Sequence, residues 1–318
     1  NLHTSESRVL VATPIPSDSP QATAWSRTRV WHVVNLCSLD AVSVGLAWQL
    51  VFTLQFCGRV PQIAESGIIG VTIWLAYTAD RILDSRRLDP DLPHTLRHRF
   101  HCQFQRPLSC IWIIAFSVDV MLMTTFATPA QIKWGLGCLL LVVVYLLRVQ
   151  QRNARKRRFP KELQAGFLFG FGISLICWSE LPSSARTPLM LSTVLTGLLF
   201  SINCATVAYW ERGLDAVQEF ASWTSPRSPT ATPIALALAI QVAATAILFV
   251  MEIIPLFLGC CLLSSSLLLG IIFVASRWQR RCEPNTVVTV PPSGWELLAD
   301  ISLIFPPTFI VILTACCS

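Results

Sequence analysis

Charged residues are scarce in this chain of 318 residues. Asp, Glu, Lys and Arg make up 13% of it, against roughly 25% in an average soluble domain. Hydrophobic residues make up 53%, the mean hydropathy is +0.57, and apolar runs reach the ~20 residues that a helix needs to cross a bilayer. The ten-residue alternation of a membrane β-barrel is not evident. The composition therefore predicts an all-α, polytopic membrane protein.

Several catalytic signatures are also missing. The chain has no HExxH of a metalloprotease, no GxSG of a rhomboid-type protease and no DGxxAR of a CDP-alcohol phosphotransferase. Its twelve cysteines are scattered through apolar segments without a CxxC pair, so the sequence predicts neither disulfides nor a cysteine metal site. The paired broken helices and internal repeats that are typical of a transporter are not evident.

The apolar runs predict nine transmembrane helices, at about 32–57, 65–84, 107–127, 133–149, 163–181, 187–210, 233–251, 254–276 and 295–316. With nine spans, 21 of the 24 Lys and Arg residues fall on one side of the membrane. Only Arg59, Lys133 and Arg186 fall on the other. By the positive-inside rule the basic side is cytoplasmic. The net charge of +6 thus reflects topology and contact with anionic lipid, and we expect no nucleic acid partner.

Two regions follow from this pattern. Residues 1–30 include a stretch rich in Ser, Thr and Pro that predicts a mobile cytoplasmic tail. Residues 31–318 form the predicted transmembrane domain. We expect the protein to be integral to a membrane, namely the inner membrane of a bacterium.

Two acidic pairs stand where predicted spans end in basic loops. Asp80 and Asp84 end the second span, and Glu211 and Asp215 follow the sixth. The i, i+4 spacing places both carboxylates of a pair on one helix face, about 6 Å apart. Carboxylate oxygens are ligands suited to Mg²⁺, which commonly bridges them to substrate phosphates. Pairs on the cytoplasmic side therefore predict a shared magnesium site, against the alternative that each is only solvated helix-end charge.

These pairs resemble the two Asp-rich motifs of the UbiA superfamily of intramembrane prenyltransferases, which have nine transmembrane helices. The family's first motif, NDxxDxxxD, aligns with residues 76–84, where its last two Asp positions match but Ala76 and Tyr77 replace its Asn and first Asp. The second motif, DxxxD, is matched by Glu211 and Asp215 with a Glu substitution. The resemblance in helix count and motif placement covers residues 30–316.

The resemblance implies a UbiA-like helical bundle and a Mg²⁺-dependent prenyltransferase. Such an enzyme transfers an isoprenyl group from its diphosphate to a lipid-soluble acceptor, often aromatic. We expect four residues to be catalytic and to hold Mg²⁺, namely Asp80, Asp84, Glu211 and Asp215. We expect four others to bind substrate, namely Tyr77, Arg81, Arg87 and Asn203. The alternatives are a non-catalytic membrane relative that binds lipid or isoprenoid, and a small-molecule transporter.

Other polar and aromatic residues lie in or near the predicted spans. Asp40 and Asp300 are near the cytoplasmic ends and are candidates to line the same cavity, whereas Asp119 is nearer the midplane. Acids at such depth face a cavity or a partner. Trp74 and Trp210 lie near span ends, which favours interfacial anchoring. With Tyr77 they are also candidates to surround an allylic cation.

Overall fold

The computed structural model describes residues 30–86, 96–149, 160–217, 231–282 and 294–317, and all regular elements in these ranges are helices. The predicted tail, residues 1–30, lies outside them except for its last residue. The helices are α1 (Val30–Leu36), α2 (Leu39–Phe52), α3 (Ile63–Ser85), α4 (Leu96–Gln103), α5 (Gln105–Phe126), α6 (Pro129–Val149), α7 (Lys161–Glu180), α8 (Arg186–Val217), α9 (Ala231–Val250), α10 (Leu256–Cys282) and α11 (Gly294–Cys317). A π-helical turn, Thr53–Cys57, continues α2.

Eight segments are long and apolar enough to cross a membrane, and they correspond to eight of the nine predicted spans. The fold is therefore that of a polytopic helical membrane protein. Helices suit this environment because they satisfy their own backbone hydrogen bonds where no water is present. The predicted second span, 65–84, corresponds to α3, which is a helix of 23 residues but is not among the eight. Its charged and small polar side chains lower its hydropathy.

Helix α3 nevertheless runs between the two ends of the bundle. Near its first turn, Glu65 accepts hydrogen bonds from Arg59 and, at 2.9 Å, from the Gln131 amide at the start of α6. Arg59 also forms an ion pair with Glu180 at the end of α7. The last turns of α3, by contrast, line a cavity together with residues from the start of α7, including Lys161. About 23 residues at ~1.5 Å each are long enough for the hydrocarbon core, so a ninth span remains a prediction.

The predicted first span, 32–57, is not one continuous helix. Ser38 takes a left-handed conformation (φ 58°) and separates α1 from α2. Asp40 stabilises this break, because it accepts hydrogen bonds from the Asn35 side chain at 2.7 Å and from the Ala41 backbone at 2.8 Å. The segment that is long and apolar enough to cross a membrane therefore begins at Leu39.

Most helices pack against their neighbours in the chain, and α7 and α8 make the closest pair, whereas α5 packs mainly against α3. Small residues allow this approach, as is common between membrane helices. A Cβ atom on Gly170 would lie 2.8 Å from the Cα atom of Gly197, and one on Gly166 would lie 2.2 Å from the backbone nitrogen of Ser201. The close pair places the start of α7 directly beside the second half of α8, where the candidate site is found.

Candidate functional site

A cavity of about 310 Å³ lies between α2, α3, α6, α7, α8 and α11. One part of its wall is charged and the other is apolar. The apolar part includes Ile73, Val142, Leu146, Leu168, Phe169 and Phe200. A concave, largely apolar pocket with a few convergent polar groups is the usual form of a small-molecule site.

The cavity brings together most residues of the predicted site. Asp80 and Asp84 of α3 and Glu211 of α8 line it, so residues from both acidic motifs face the same cavity. The predicted substrate-binding residues Tyr77, Arg81 and Asn203 line it too. Arg87 lies outside the described residues, and Asp215 lies in α8 with its side chain outside the described part. The chemical roles of all these residues remain predictions.

The spacing of the motif explains its placement in the cavity. Ala76, Tyr77, Asp80, Arg81 and Asp84 all line the cavity, because positions three and four apart share one face of a helix. This face of α3 is turned towards α7 and α8, whereas Trp112 of α5 donates a 2.9 Å hydrogen bond to a different part of α3. Asp80, Arg81 and Asp84, three of the four charged residues of α3, thus face the cavity.

Three other acids lie in or near the predicted spans, and the sequence left open whether each faces a cavity or bonds a neighbouring helix. Asp40 and Asp300 line the cavity, as their depth suggested. Asp119 is buried away from it and accepts a 2.9 Å hydrogen bond from Thr72 of α3, so it joins two neighbouring helices. Both explanations considered for membrane-buried acids therefore apply, each at a different position.

Several polar wall residues were not predicted, among them Tyr145, Lys161, Glu162 and Glu296. Lys161 and Glu162 open α7, while Glu296 opens α11 one turn before Asp300. A signal for the last pair was present, because Glu296 and Asp300 repeat the i, i+4 spacing of the two recognised motifs. Lys161 lies in the sequence between the fourth and fifth predicted spans, and its place in the cavity wall beside the acidic pairs depends on the packing of α7 against α8.

The charged part of the wall has an excess of acid. Among the described residues, seven carboxylates line the cavity, and only Arg81 and Lys161 are basic there. Like charges gathered in one partly dry cavity repel each other, and a bound cation relieves the repulsion. The amide oxygen of buried Asn203 also has no hydrogen-bond donor in the described structure. The wall is therefore suited to a cation-accompanied polar ligand.

A series of contacting aromatic rings extends from the cavity into the helix bundle. The Tyr77 and Phe169 rings are 6.0 Å apart and nearly perpendicular, Phe169 and Phe200 are 4.8 Å apart, and Phe200 meets Trp48 at 5.6 Å. Such edge-to-face pairs are a favourable aromatic geometry. Of the three aromatic residues considered for an allylic cation, only Tyr77 lines the cavity.

The two tryptophans of that prediction have structural contacts elsewhere. The Trp74 indole donates to the Cys37 carbonyl oxygen at 3.0 Å. Trp210 is only 3% exposed and donates to the Ser276 hydroxyl at 3.0 Å. Neither tryptophan lines the cavity, and their ring nitrogens bond other parts of the helix bundle, so the structure does not support them as candidates to surround an allylic cation.

The carboxylates of the cavity wall suit a Mg²⁺ ion that keeps several of its water ligands. Within the described ranges, no three His, Cys, Asp or Glu side chains form a cluster that could hold a metal by protein ligands alone. Mg²⁺, however, usually keeps several waters and binds one or two carboxylates together with substrate phosphates. Asp80, Asp84 and Glu211 supply carboxylates of this kind on one cavity wall.

No protein-family model, no curated protein and no solved structure matches this chain.

Proposed function

We propose that the chain is a divergent UbiA-like intramembrane prenyltransferase. In this reaction an isoprenyl group passes from its diphosphate to a lipid-soluble acceptor, aromatic or otherwise, with Mg²⁺ as cofactor. The observation that carries the proposal is that one cavity combines acidic residues and two basic residues with an aromatic, apolar lining. The charged part suits a metal-bound diphosphate, and the apolar part suits an isoprenoid chain.

The proposal gives the charged residues separate tasks. Asp80, Asp84 and Glu211, with Asp215 predicted from the motif, would hold Mg²⁺ through its retained waters or directly. The bound Mg²⁺ would supply positive charge to a leaving diphosphate. Arg81 and Lys161 would contact the diphosphate oxygens by charge-assisted hydrogen bonds, and Arg87 is assigned the same role from the sequence.

The apolar part of the cavity would protect the reacting chain. As the carbon–oxygen bond of the donor breaks, the diphosphate leaves with the electron pair and an allylic cation remains. The acceptor then forms the new carbon bond and releases a proton. The rings of Tyr77 and Phe169 present apolar and π-rich surface here, which excludes water and attracts a cation.

A non-catalytic isoprenoid-binding protein is the second candidate, and one observation favours it. Ala76 and Tyr77 line the cavity at the positions where the family motif has Asn and Asp. The site therefore lacks the amide and the carboxylate that the family motif has at these two positions. A protein of this kind would bind the diphosphate with Mg²⁺ but would not transfer the chain.

The deciding experiment uses purified full-length protein in lipid nanodiscs with labelled isoprenyl diphosphates. Binding is measured with Mg²⁺ and with a chelator, and transfer is measured with quinone, chlorin and aromatic acceptors. We expect Mg²⁺-dependent binding and transfer, and we expect Asp80→Asn to lower kcat/KM by at least about 100-fold, the scale seen when one group that stabilises developing charge is removed.

A matched control keeps the result specific. Glu252 is an exposed acid in the turn before α10 and does not line the cavity, so Glu252→Gln should leave binding and transfer unchanged. Binding without transfer to any acceptor would favour the non-catalytic candidate. An absence of diphosphate binding in the wild-type protein, with or without Mg²⁺, would refute both.

A further inference from the structure

Two thiols lie in contact at the end of the bundle opposite the charged cavity wall. The Sγ atoms of Cys57 and Cys177 are 3.7 Å apart, although 120 positions separate the residues in the chain. Cys57 ends the π-helical turn that follows α2, and Cys177 lies in the last turn of α7. Cys57 is half-buried and Cys177 is fully buried.

A backbone turn and an ion pair next to the two cysteines keep their thiols close together without any bond between the sulfur atoms. Gly58 takes φ +65°, a left-handed conformation that favours glycine, and turns the chain directly after Cys57. Arg59 then forms an ion pair with Glu180, which lies three residues after Cys177. Arg59 also contacts Glu65 at 2.7 Å. These contacts connect the residues after Cys57 with the residues after Cys177, so the thiols are kept at a high effective concentration.

We propose that Cys57 and Cys177 are a reversible disulfide site that joins the end of the α2 segment to α7. The sulfur atoms need to approach from 3.7 Å to about 2 Å to form the bond. In the part of the chain that the structure describes, no other two cysteine thiols make such a contact.

The bond would form by thiol–disulfide exchange with a small-molecule disulfide such as oxidised glutathione. The half-buried Cys57 thiol loses its proton, and its thiolate attacks one sulfur of the oxidant and expels one glutathione thiolate, which takes up a proton. The Cys177 thiol then loses its proton and its thiolate attacks the Cys57 sulfur and expels the second glutathione. The two cysteines are oxidised, and one oxidised glutathione is reduced to two thiols.

The position of the pair suits this chemistry. It lies beside Arg59, on the side of the membrane that the distribution of basic residues predicts to be extracytoplasmic. Disulfides form and persist on that side, whereas the cytosol keeps thiols reduced. The segments that would be joined belong to α2 and α7, and both helices contribute residues to the cavity wall.

The test uses the solubilised full-length protein, treated either with oxidised glutathione or with dithiothreitol and then alkylated and mapped by mass spectrometry. We expect the oxidised wild-type protein to contain a Cys57–Cys177 linked peptide, which dithiothreitol removes. Cys177→Ser should instead accumulate glutathione on Cys57, because the second step is lost. Cys57→Ser should leave buried Cys177 unmodified.

Cys110→Ser is the matched control, since Cys110 is an exposed thiol on α5, and this variant should form the linked peptide as the wild type does. The proposal is overturned if wild-type Cys57 keeps its glutathione adduct, if both thiols remain free under oxidation, or if Cys57 links to another cysteine.

Discussion

The indole nitrogen of Trp48 donates a 2.8 Å hydrogen bond to the carbonyl oxygen of Leu303. In a regular helix that carbonyl would accept from the backbone N–H of residue 307, but residue 307 is a proline within α11 and has no N–H. Trp48 and Leu303 are both buried, at 0% and 2% exposure, so water does not replace the missing donor. We therefore expect Trp48→Phe to destabilise the protein by leaving this carbonyl without a partner.

The size of the effect follows from two contributions. A buried acceptor left without a hydrogen bond costs about 1–3 kcal/mol. The smaller phenyl ring also leaves a void beside Phe200, whose ring centroid lies 5.6 Å from that of Trp48, and we assign this loss of packing about 1 kcal/mol. The expected total for Trp48→Phe is a loss of about 2–4 kcal/mol in the free energy of unfolding.

A double-mutant cycle separates these contributions. Pro307→Ala restores a backbone N–H that can bond the Leu303 carbonyl, so Trp48→Phe should cost about 1–2 kcal/mol less in the Pro307→Ala background. Unfolding is followed by circular dichroism during titration of mixed micelles with a denaturing detergent. Equal costs of Trp48→Phe in the two backgrounds would show that the indole does not act through this carbonyl and would refute the reasoning.

Two further predictions concern helix packing and the ion cluster. Gly170→Ala should lower the free energy of unfolding by about 1–2 kcal/mol, because its new methyl would lie 2.8 Å from the Gly197 backbone where ordinary contact begins at 3.4 Å. Gly172→Ala on the same helix meets nothing within 4 Å and should be neutral or stabilising by up to about 1 kcal/mol in the same titration. Arg59→Gln should lower the free energy of unfolding by about 1–3 kcal/mol, because it removes the guanidinium group that lies 2.7 Å from the largely buried carboxylate of Glu65. A Gly170→Ala variant as stable as Gly172→Ala, or an unchanged unfolding midpoint for Arg59→Gln, would contradict the respective argument.

Much of the fold could be predicted because it depends on local properties. Hydrophobic length and the need to satisfy backbone groups in lipid act on each segment by itself, so eight predicted spans correspond to apolar helices. The remaining span, now α3, shows the limit of that approach. Asp80, Arg81 and Asp84 make its sequence less apolar, and only the packing shows that these residues face a cavity.

The candidate site divides in a similar way. The i, i+4 spacing of Asp80 and Asp84 identified one cavity-lining face correctly, since helix periodicity alone decides which side chains share a face. The sequence did not connect Lys161 or Glu296 with the site, although Glu296 and Asp300 have the same i, i+4 spacing as the two acidic motifs. Their distance in sequence from the motifs conceals how close the ends of α7, α8 and α11 lie in space.

By itself, the sequence determined that the protein is a polytopic helical membrane protein and where most of its apolar helices lie, because these properties arise from composition and short-range periodicity. Only the tertiary structure decided which polar residues meet. The helix packing places the Trp48 indole beside the Leu303 carbonyl oxygen, which has no backbone N–H of residue 307 to accept from. It also brings the Sγ atoms of Cys57 and Cys177 to 3.7 Å from each other. Such contacts depend on how helices distant in the chain pack against one another, and no local pattern specifies that packing.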